Sequence, residues 1–200
     1  MAGYGLRPVG FGAGGLSGYN NGGFTEIPIS STAAVDIYTG DFVEQVADGG
    51  VVRQANDATG ETPATTTKNT AGVCLGFRYI NASGDIRWSQ FYDQSASNTE
   101  AFAFVCTDPS QVYLIQSDGA TTLADIGSNA PIDGFAVNEG NSTTGLSGIQ
   151  LDHSLINTTI GLGLRIIGIP DDGSNRGSST PNVLVRVNTG VLFSDQGTGI

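Results

Sequence analysis

Short apolar runs separated by polar turns recur along the whole chain. In residues 33–52, two apolar runs are separated by the turn Thr39 to Asp41, and the turn Asp48 to Gly50 precedes Val51 and Val52. Turns that contain Gly and Asp suit chain reversals, because these residues tolerate positive φ angles. The pattern predicts short strands that fold back on themselves. A further strand over residues 70–79 is predicted to belong to the same unit.

The same reading predicts several other elements. Pro28 places an edge strand at residues 24–30, because proline cannot donate to a central ladder. The stretch between Arg53 and Asn69 has no large apolar residue and is predicted to be an exposed loop. The remaining predictions are two strands joined by the turn 81–85, a hairpin of 101–106 with 111–116, a short helix of at most about two turns at 121–127, and a closing hairpin of 164–169 with 183–187.

Composition agrees with this alternation of strands and turns. The 200 residues include 30 glycines, and only 14% are charged. This composition is poor in Lys, Glu and Arg, which are common on the surfaces of helical proteins. We predict an all-β fold, an antiparallel β-barrel or β-sandwich with at most one or two short helices and a flexible Gly-rich N-terminal arm. Residues 1–23 form the arm and 24–120 the core. Residues 121–200 are either a continuation of that domain or a small second β-subdomain.

The arm, residues 1–23, combines many glycines with a few large apolar and aromatic side chains placed between them. So many glycines cost too much conformational entropy for a helix or an isolated strand, so the arm is predicted to be mobile when alone. A flexible backbone with spaced apolar anchors can become ordered along a partner's surface. The predicted partner-binding residues are Tyr4, Leu6, Phe11, Leu16 and Tyr19. The alternative is a tail without a role.

Charge narrows the range of partners. Eight basic residues stand against nineteen acidic ones, which gives a formal net charge of -11. Such a surface repels phosphate, so we expect no direct contact with nucleic acid or with an anionic membrane. An apolar run long enough to cross a bilayer and a signal-peptide pattern are both missing from the sequence, so we expect synthesis and folding in a cytoplasm.

Few residues suggest catalysis. His153 is the single histidine, and neighbouring side chains of Asp152, His153 and Ser154 on an extended strand would point to opposite faces. The oxygens of Asp171 to Asn175 could bind calcium, but a solvated turn is the preferred interpretation. The run Gly10 to Gly15 spells G-x-G-x-x-G without the strand and helix that a dinucleotide site needs. We therefore expect no enzymatic activity, no cofactor and no metal.

Two other features have competing interpretations. Cys74 and Cys106 both lie in apolar runs, so we expect two buried thiols rather than a disulfide, which a reducing compartment would disfavour. Trp88 is predicted to lie in the core, as a tryptophan in an all-β domain usually does. The alternative is that Arg87 and Trp88, with Phe91 and Tyr92, line a binding face.

The order Gly40–Asp41–Phe42–Val43, then Asp48–Gly49–Gly50, then Gly72–Val73–Cys74–Leu75–Gly76 resembles a pattern of small β-barrel capsid decoration, or cement, proteins of tailed bacteriophages. This resemblance covers about residues 33–80. The closing hairpin, in which Val185–Arg186–Val187–Asn188 pairs with Ile167–Gly168–Ile169–Pro170, also resembles hairpins of phage virion proteins.

The resemblance implies a non-enzymatic structural protein of the virion. It would bind the outside of the capsid shell and stabilise it, with the major capsid protein and neighbouring copies of itself as partners and a homo-oligomeric arrangement on the capsid surface. The protein would be made in the host cytoplasm. The alternative is a tail fibre, spike or neck component with a carbohydrate-binding or adhesin role, in which Trp88 and carboxylates would be the working groups.

Overall fold

The structure is a computed structural model that describes residues 3–9, 24–53, 70–108, 110–133, 140–159, 162–173 and 175–188. These residues confirm the predicted all-β class, since they form strands and one short 3₁₀ turn, Leu123–Asp125. The strands are β1 (Arg7–Val9), β2 (Phe24–Pro28), β3 (Ile37–Tyr38), β4 (Phe42–Gln45), β5 (Val51–Arg53), β6 (Thr70–Ile80), β7 (Ile86–Ser89), β8 (Phe91–Tyr92), β9 (Thr99–Cys106), β10 (Val112–Gln116), β11 (Asn129–Ala130), β12 (Ile132–Asp133), β13 (Gly140–Asn141), β14 (Leu146–Ser147), β15 (Gln150–Leu151), β16 (Leu164–Gly168) and β17 (Asn182–Val187).

Five strands form a small barrel in the order β2, β9, β6, β4 and β5, and β7 extends the sheet alongside β6. A bridge between Ile29, directly after β2, and Val51 in β5 joins the first and last strands. The Ser30 N–H donates to the Val51 carbonyl oxygen at 3.0 Å. The barrel interior is apolar and is filled by Ile27, Ile29, Ile37, Val43, Val51, Ala71, Cys74, Phe77, Ala103 and Val105.

A second sheet, in the order β1, β10, β17, β16 and β11, packs against the outside of the barrel. The barrel contributes Phe42, Val73 and Cys106 to this contact. Burial of each large apolar side chain in this contact stabilises the fold by about 1.5 to 3 kcal/mol. The buried side chains on the other side of the contact include Leu6, Tyr113, Ile115, Leu164, Ile166, Val183, Val185 and Val187. Strand β10 pairs directly with β17, so this outer sheet joins residues from both sides of position 120.

The predicted closing hairpin is confirmed, because β16 and β17 pair in antiparallel register. The side chain of Asn175 in the connecting loop fastens the start of β17. Its Oδ1 accepts the Asn182 N–H at 2.7 Å, and its Nδ2 donates to the Asn182 carbonyl oxygen at 2.9 Å. The predicted edge strand at β2 is confirmed as well, with Pro28 opposite Phe102 of β9.

Two predicted pairings are wrong. The strands at 101–106 and 111–116 do not form a hairpin, because β9 pairs with β2 and β6 whereas β10 pairs with β1 and β17. The turn after Cys106 instead carries the chain from the barrel to the outer sheet. Strand β3 pairs with β8 rather than folding back on β4, because the turn after it docks on β6, where the Gly40 N–H donates to the Cys74 carbonyl oxygen at 2.8 Å.

The predicted mobile arm is wrong for residues 3–9, which belong to the folded body. Leu6 is fully buried, and β1 pairs with β10. The Leu6 N–H donates to the Gly40 carbonyl oxygen at 3.1 Å. This close approach needs glycine in both segments. A Cβ on Gly5 would lie 2.7 Å from the Ser147 Cβ and 3.0 Å from the Gly40 Cα, and a Cβ on Gly40 would lie 3.0 Å from the Leu6 N. Residues 10–23 lie outside the described residues.

Both cysteines are free and buried, as predicted. Val73 pairs with Cys106 and Cys74 pairs with Val105 across β6 and β9. Successive side chains of a strand point to opposite faces, so Cys74 faces the barrel interior whereas Cys106 faces the outer sheet. A disulfide between these two thiols is therefore excluded by the register.

A buried carboxylate fastens the barrel to the segments packed on it. Asp41 is fully buried, its Oδ2 accepts the Tyr38 N–H at 2.8 Å, and its Oδ1 accepts a hydrogen bond from the hydroxyl of Ser147 in β14. The Nε atom of Arg53 in β5 lies 2.9 Å from the Asp41 Oδ2, and that side chain is also buried. We call these residues the Asp41 cluster. Its members come from β3, β5, β14 and the turn between β3 and β4.

We predict that Arg53→Met lowers the free energy of unfolding by about 3 to 5 kcal/mol, because it leaves the buried Asp41 carboxylate without its cation. Urea unfolding followed by circular dichroism measures the change. The matched control is Arg87→Met, whose ion pair with Asp85 is more than half exposed and should contribute less than about 1 kcal/mol. Equal effects of the two substitutions would contradict the structural role assigned to the Asp41 cluster.

Candidate interaction surface

Three aromatic side chains form an exposed apolar surface on the outer face of the barrel. Trp88 in β7 is 70% exposed and Phe24 in β2 is 56% exposed, and Phe104 in β9 lies between them. We call Phe24, Trp88 and Phe104 the aromatic shelf. The prediction that Trp88 lies in the core is therefore wrong. The alternative, a binding face lined by Arg87, Trp88, Phe91 and Tyr92, agrees with the structure only in the exposure of Trp88, because Arg87 is its neighbour in β7 and points to the opposite face, and Phe91 and Tyr92 are half-buried in β8, which pairs with β3.

A glycine in the central strand lets the rings of the shelf meet. Gly76 of β6 pairs with Phe104, and Arg78, two residues further along β6, pairs with Trp88. Because Gly76 has no side chain, the rings of Trp88 and Phe104 contact each other across β6, nearly parallel at 8° with centroids 5.5 Å apart. Phe24 meets the same Phe104 ring edge-on at 5.2 Å. Each ring is thus supported by another, in arrangements that aromatic pairs favour.

The shelf borders an open cavity of about 660 Å³. Leu75, Gly76 and Phe77 of β6 line it together with the three shelf residues, and Glu26 and Ser89 supply polar atoms. Glu26 pairs with Arg78, whose guanidinium group also lies 4.6 Å from the centre of the Phe102 ring. Charge at the rim of the cavity is therefore locally compensated, and the shelf itself is apolar.

Such a surface is suited to contact with another macromolecule. Large exposed apolar patches on folded domains mark contact sites with other macromolecules. Tryptophan and other aromatic anchors contribute a large share of binding free energy, since they bury much area and lose little conformational entropy. Because the shelf is built on paired strands, it is already in place before a partner arrives, which lowers the entropic cost of binding.

The predicted partner-binding residues do not form this surface. Leu6 is a core residue. Tyr4 is held on the body, because its hydroxyl donates to Asn182 Oδ1 at 2.6 Å and its ring lies 4.3 Å from the Arg7 guanidinium carbon. Burial raises the pKa of the Tyr4 phenol to about 12. Phe11, Leu16 and Tyr19 lie outside the described residues.

The residues around His153 are not arranged as a catalytic triad. The Asp152 carboxylate accepts hydrogen bonds from the N–H and hydroxyl of Ser154 at 2.8 and 2.7 Å. The backbone N–H of His153 donates to Asp118 Oδ1, and the ring of His153 packs over Gly119. The three side chains therefore do not form the relay of hydrogen bonds that triad catalysis needs.

Asp171 and Asn175, at the two ends of the segment considered for calcium, make structural contacts, and Ser174 lies outside the described residues. Asp171 pairs with Arg176 at 3.3 Å, and the Asn175 side chain is used to hold β17. Within the described ranges, no group of three or more His, Cys, Asp or Glu side chains is placed to hold a metal ion. Over those same ranges, the structure contains no helix with the length and apolar character needed to span a membrane.

Asp41 is the described carboxyl group with the most strongly raised pKa. Complete burial raises the pKa of this carboxyl from 3.8 to about 6, although Arg53 and the donors of Ser147 and Tyr38 act in the opposite direction. A perturbed pKa can mark an active site. Here both Asp41 and Ser147 are inaccessible, at 0% and 1% exposure, so the shift reflects the burial of a structural group.

The sequence contained one signal for the shelf that sequence reasoning missed. In β9, the small residues Ala103 and Val105 alternate with the aromatic residues Phe102 and Phe104. Ala103 and Val105 fit in the small barrel interior beside the ring of Phe77, and because side chains of a strand alternate between its faces, the two phenylalanine rings lie on the outside. The usual rule that large apolar side chains face the core fails for such a strand.

Comparison with known proteins finds no relative of this chain. No protein-family model, no curated protein and no solved structure matches the chain.

We predict that Asp41 makes the free energy of unfolding fall as pH rises from about 4 to about 6. The pKa of Asp41 is higher in the native state than in the unfolded state, so between about pH 4 and pH 6 the native state binds more protons. The stabilisation from this proton is therefore complete below about pH 4 and is lost above about pH 6. A shift from 3.8 to about 6 corresponds to about 3 kcal/mol. The measurement is urea unfolding of the wild type and of Asp41→Asn across this range. A difference between them that does not change with pH would contradict the prediction.

Proposed function

We propose that this protein is a non-enzymatic structural component of a tailed-phage virion that binds the outside of the capsid shell and stabilises it. The observation that carries the proposal is the aromatic shelf, an exposed recognition surface on a rigid all-β body. The protein acts through binding free energy alone, by bridging neighbouring capsid subunits. Its partners are the major capsid protein and other copies of itself, and it is located on the capsid surface after synthesis in the host cytoplasm.

The residues that carry the resemblance to decoration proteins occupy defined places in the fold. Gly40 and Asp41 lie in the turn that holds the Asp41 cluster, Gly49 has a positive φ of 82° in the turn between β4 and β5, and Gly76 underlies the shelf. This placement supports the proposal because the pattern corresponds to structural requirements of one small barrel.

Charge also supports a protein partner. The net charge of -11 disfavours contact with packaged DNA, and the described residues offer no cluster of catalytic or metal-binding side chains at the shelf. A contact of modest affinity can still give strong attachment to a capsid lattice. A copy that binds two sites at once makes its second contact at a high effective concentration, which raises the overall affinity.

A second candidate function is carbohydrate binding in a tail fibre, spike or neck component. It is favoured by the flat ring of Trp88, which is supported by Phe104 and 70% exposed, with Glu26 and Arg78 nearby as hydrogen-bonding groups. Binding of the isolated protein to neutral glycans, lost in Trp88→Ala and accompanied by no affinity for capsid shells, would favour this function over shell binding.

We predict that Trp88→Ala weakens binding to shells of the major capsid protein from the same virion by at least about tenfold, which corresponds to 1.4 kcal/mol. Co-sedimentation of purified protein with expanded shells measures this change. The substitution should alter the free energy of unfolding by less than about 1 kcal/mol, because Trp88 is a surface residue.

The matched control is Leu123→Ala, which also truncates an exposed apolar side chain, 55% exposed, on the 3₁₀ turn outside the shelf. Binding that is unchanged in both variants would reject the shelf as the contact surface. A wild-type protein that fails to bind shells at all would reject the proposed function.

A further inference from the structure

The outer edge of β7, next to the aromatic shelf, has an unpaired backbone. Strand β7 pairs with β6 on one side, and among the described residues no strand pairs with its other side. The side chains of Ile86, Arg87 and Trp88 are all more than half exposed. An exposed strand edge of this kind is a template for pairing with another strand.

The turn between β6 and β7 determines which backbone groups point outward. The Asn81 N–H donates to the Asp85 carbonyl oxygen at 3.0 Å, and Tyr79 is opposite Arg87. Hydrogen-bonded and non-hydrogen-bonded pairs alternate along an antiparallel ladder, so Arg87 directs its N–H and C=O groups toward β6. The corresponding groups of Ile86 and Trp88 therefore point away from β6, along the free edge.

We propose that two copies of this chain pair through the β7 edge, in an antiparallel register with Arg87 of one copy opposite Arg87 of the other. In this register Ile86 of each copy is opposite Trp88 of the other, so the outward backbone groups meet as hydrogen-bonded pairs. A two-fold rotation that exchanges the two copies leaves this register unchanged, as the interface of a symmetric dimer requires. This proposal rests on the proposed function for its biological role.

Side-chain chemistry agrees with a second copy as the partner. On one face, Ile86 packs beside Trp88 of the other copy, an aromatic and β-branched pair of the kind that stabilises sheets. On the opposite face, the two Arg87 side chains are flanked by the two Asp85 carboxylates, which already pair with Arg87 within each copy at 3.2 Å. The four charges sum to zero, so the contact is locally neutral despite the acidic surface.

Pairing would enlarge the contact surface. The two-fold axis passes through the sheet perpendicular to its plane, so both aromatic shelves face the same direction. One continuous apolar surface would then extend over two copies, and such a dimer could hold two neighbouring subunits of a shell. The net charge of -11 per copy opposes association in solution, so we expect pairing to strengthen with salt.

Cysteine cross-linking tests this register directly. Directly opposite residues of a non-hydrogen-bonded pair have Cα atoms about 4.5 Å apart, which fits a disulfide. The variant Arg87→Cys should therefore form a disulfide-linked dimer under mild oxidation, at least about tenfold faster than Asp85→Cys, because pairing raises the effective thiol concentration only at position 87. The native Cys74 and Cys106 are buried and should remain reduced.

Asp85→Cys is a matched control because Asp85 and Arg87 have nearly equal exposure, 59% and 58%. In the proposed register position 85 lies opposite position 89, so Asp85→Cys and Ser89→Cys should each fail to link alone but should link when mixed. Equal rates for Arg87→Cys and Asp85→Cys would overturn the pairing. These experiments use no shells, so shell binding without cross-linking would reject the dimer and leave the proposed function standing.

Discussion

The buried pair of Asp41 and Arg53 is the constraint on which the rest of the structure depends. Taking a carboxylate and a guanidinium group out of water is costly, and close pairing and donors from Tyr38 and Ser147 offset part of this cost. Because these groups come from separate segments, the cluster is satisfied only when the barrel and the segment 146–147 are both in place. An arrangement that left one partner out would bury an unpaired charge, so we expect the cluster to disfavour alternative placements of these segments.

The aromatic shelf is a consequence of the same small barrel. Ala103 and Val105 face its interior beside the Phe77 ring, and Phe102 and Phe104, which alternate with them along β9, stand on the outside. Gly76 then permits Trp88 to reach Phe104 across β6. The aromatic shelf and the barrel core are therefore opposite faces of the same strands, so the packing of the core positions the shelf.

Local features could be predicted from the sequence, and long-range choices could not. The hairpins β4–β5, β6–β7 and β16–β17 follow from turn residues between apolar runs, and the edge strand follows from Pro28. The turn after Cys106 resembles a hairpin turn, and only the three-dimensional packing shows that it crosses between sheets. The burial of Asp41 was missed because a Gly–Asp turn usually faces solvent. The glycines beside Leu6 predict a mobile arm, whereas in the structure Gly5 permits close packing on Gly40.

The central claim is that the protein recognises its partner through the aromatic shelf. Hydroxyl-radical footprinting of the full chain, free and bound to capsid shells, tests this claim at individual side chains. The claim predicts that oxidation of Trp88 and Phe24 falls several-fold on binding, while oxidation of the exposed Leu123 stays unchanged. Unchanged oxidation of Trp88 and Phe24 in protein that is fully bound to shells would contradict it.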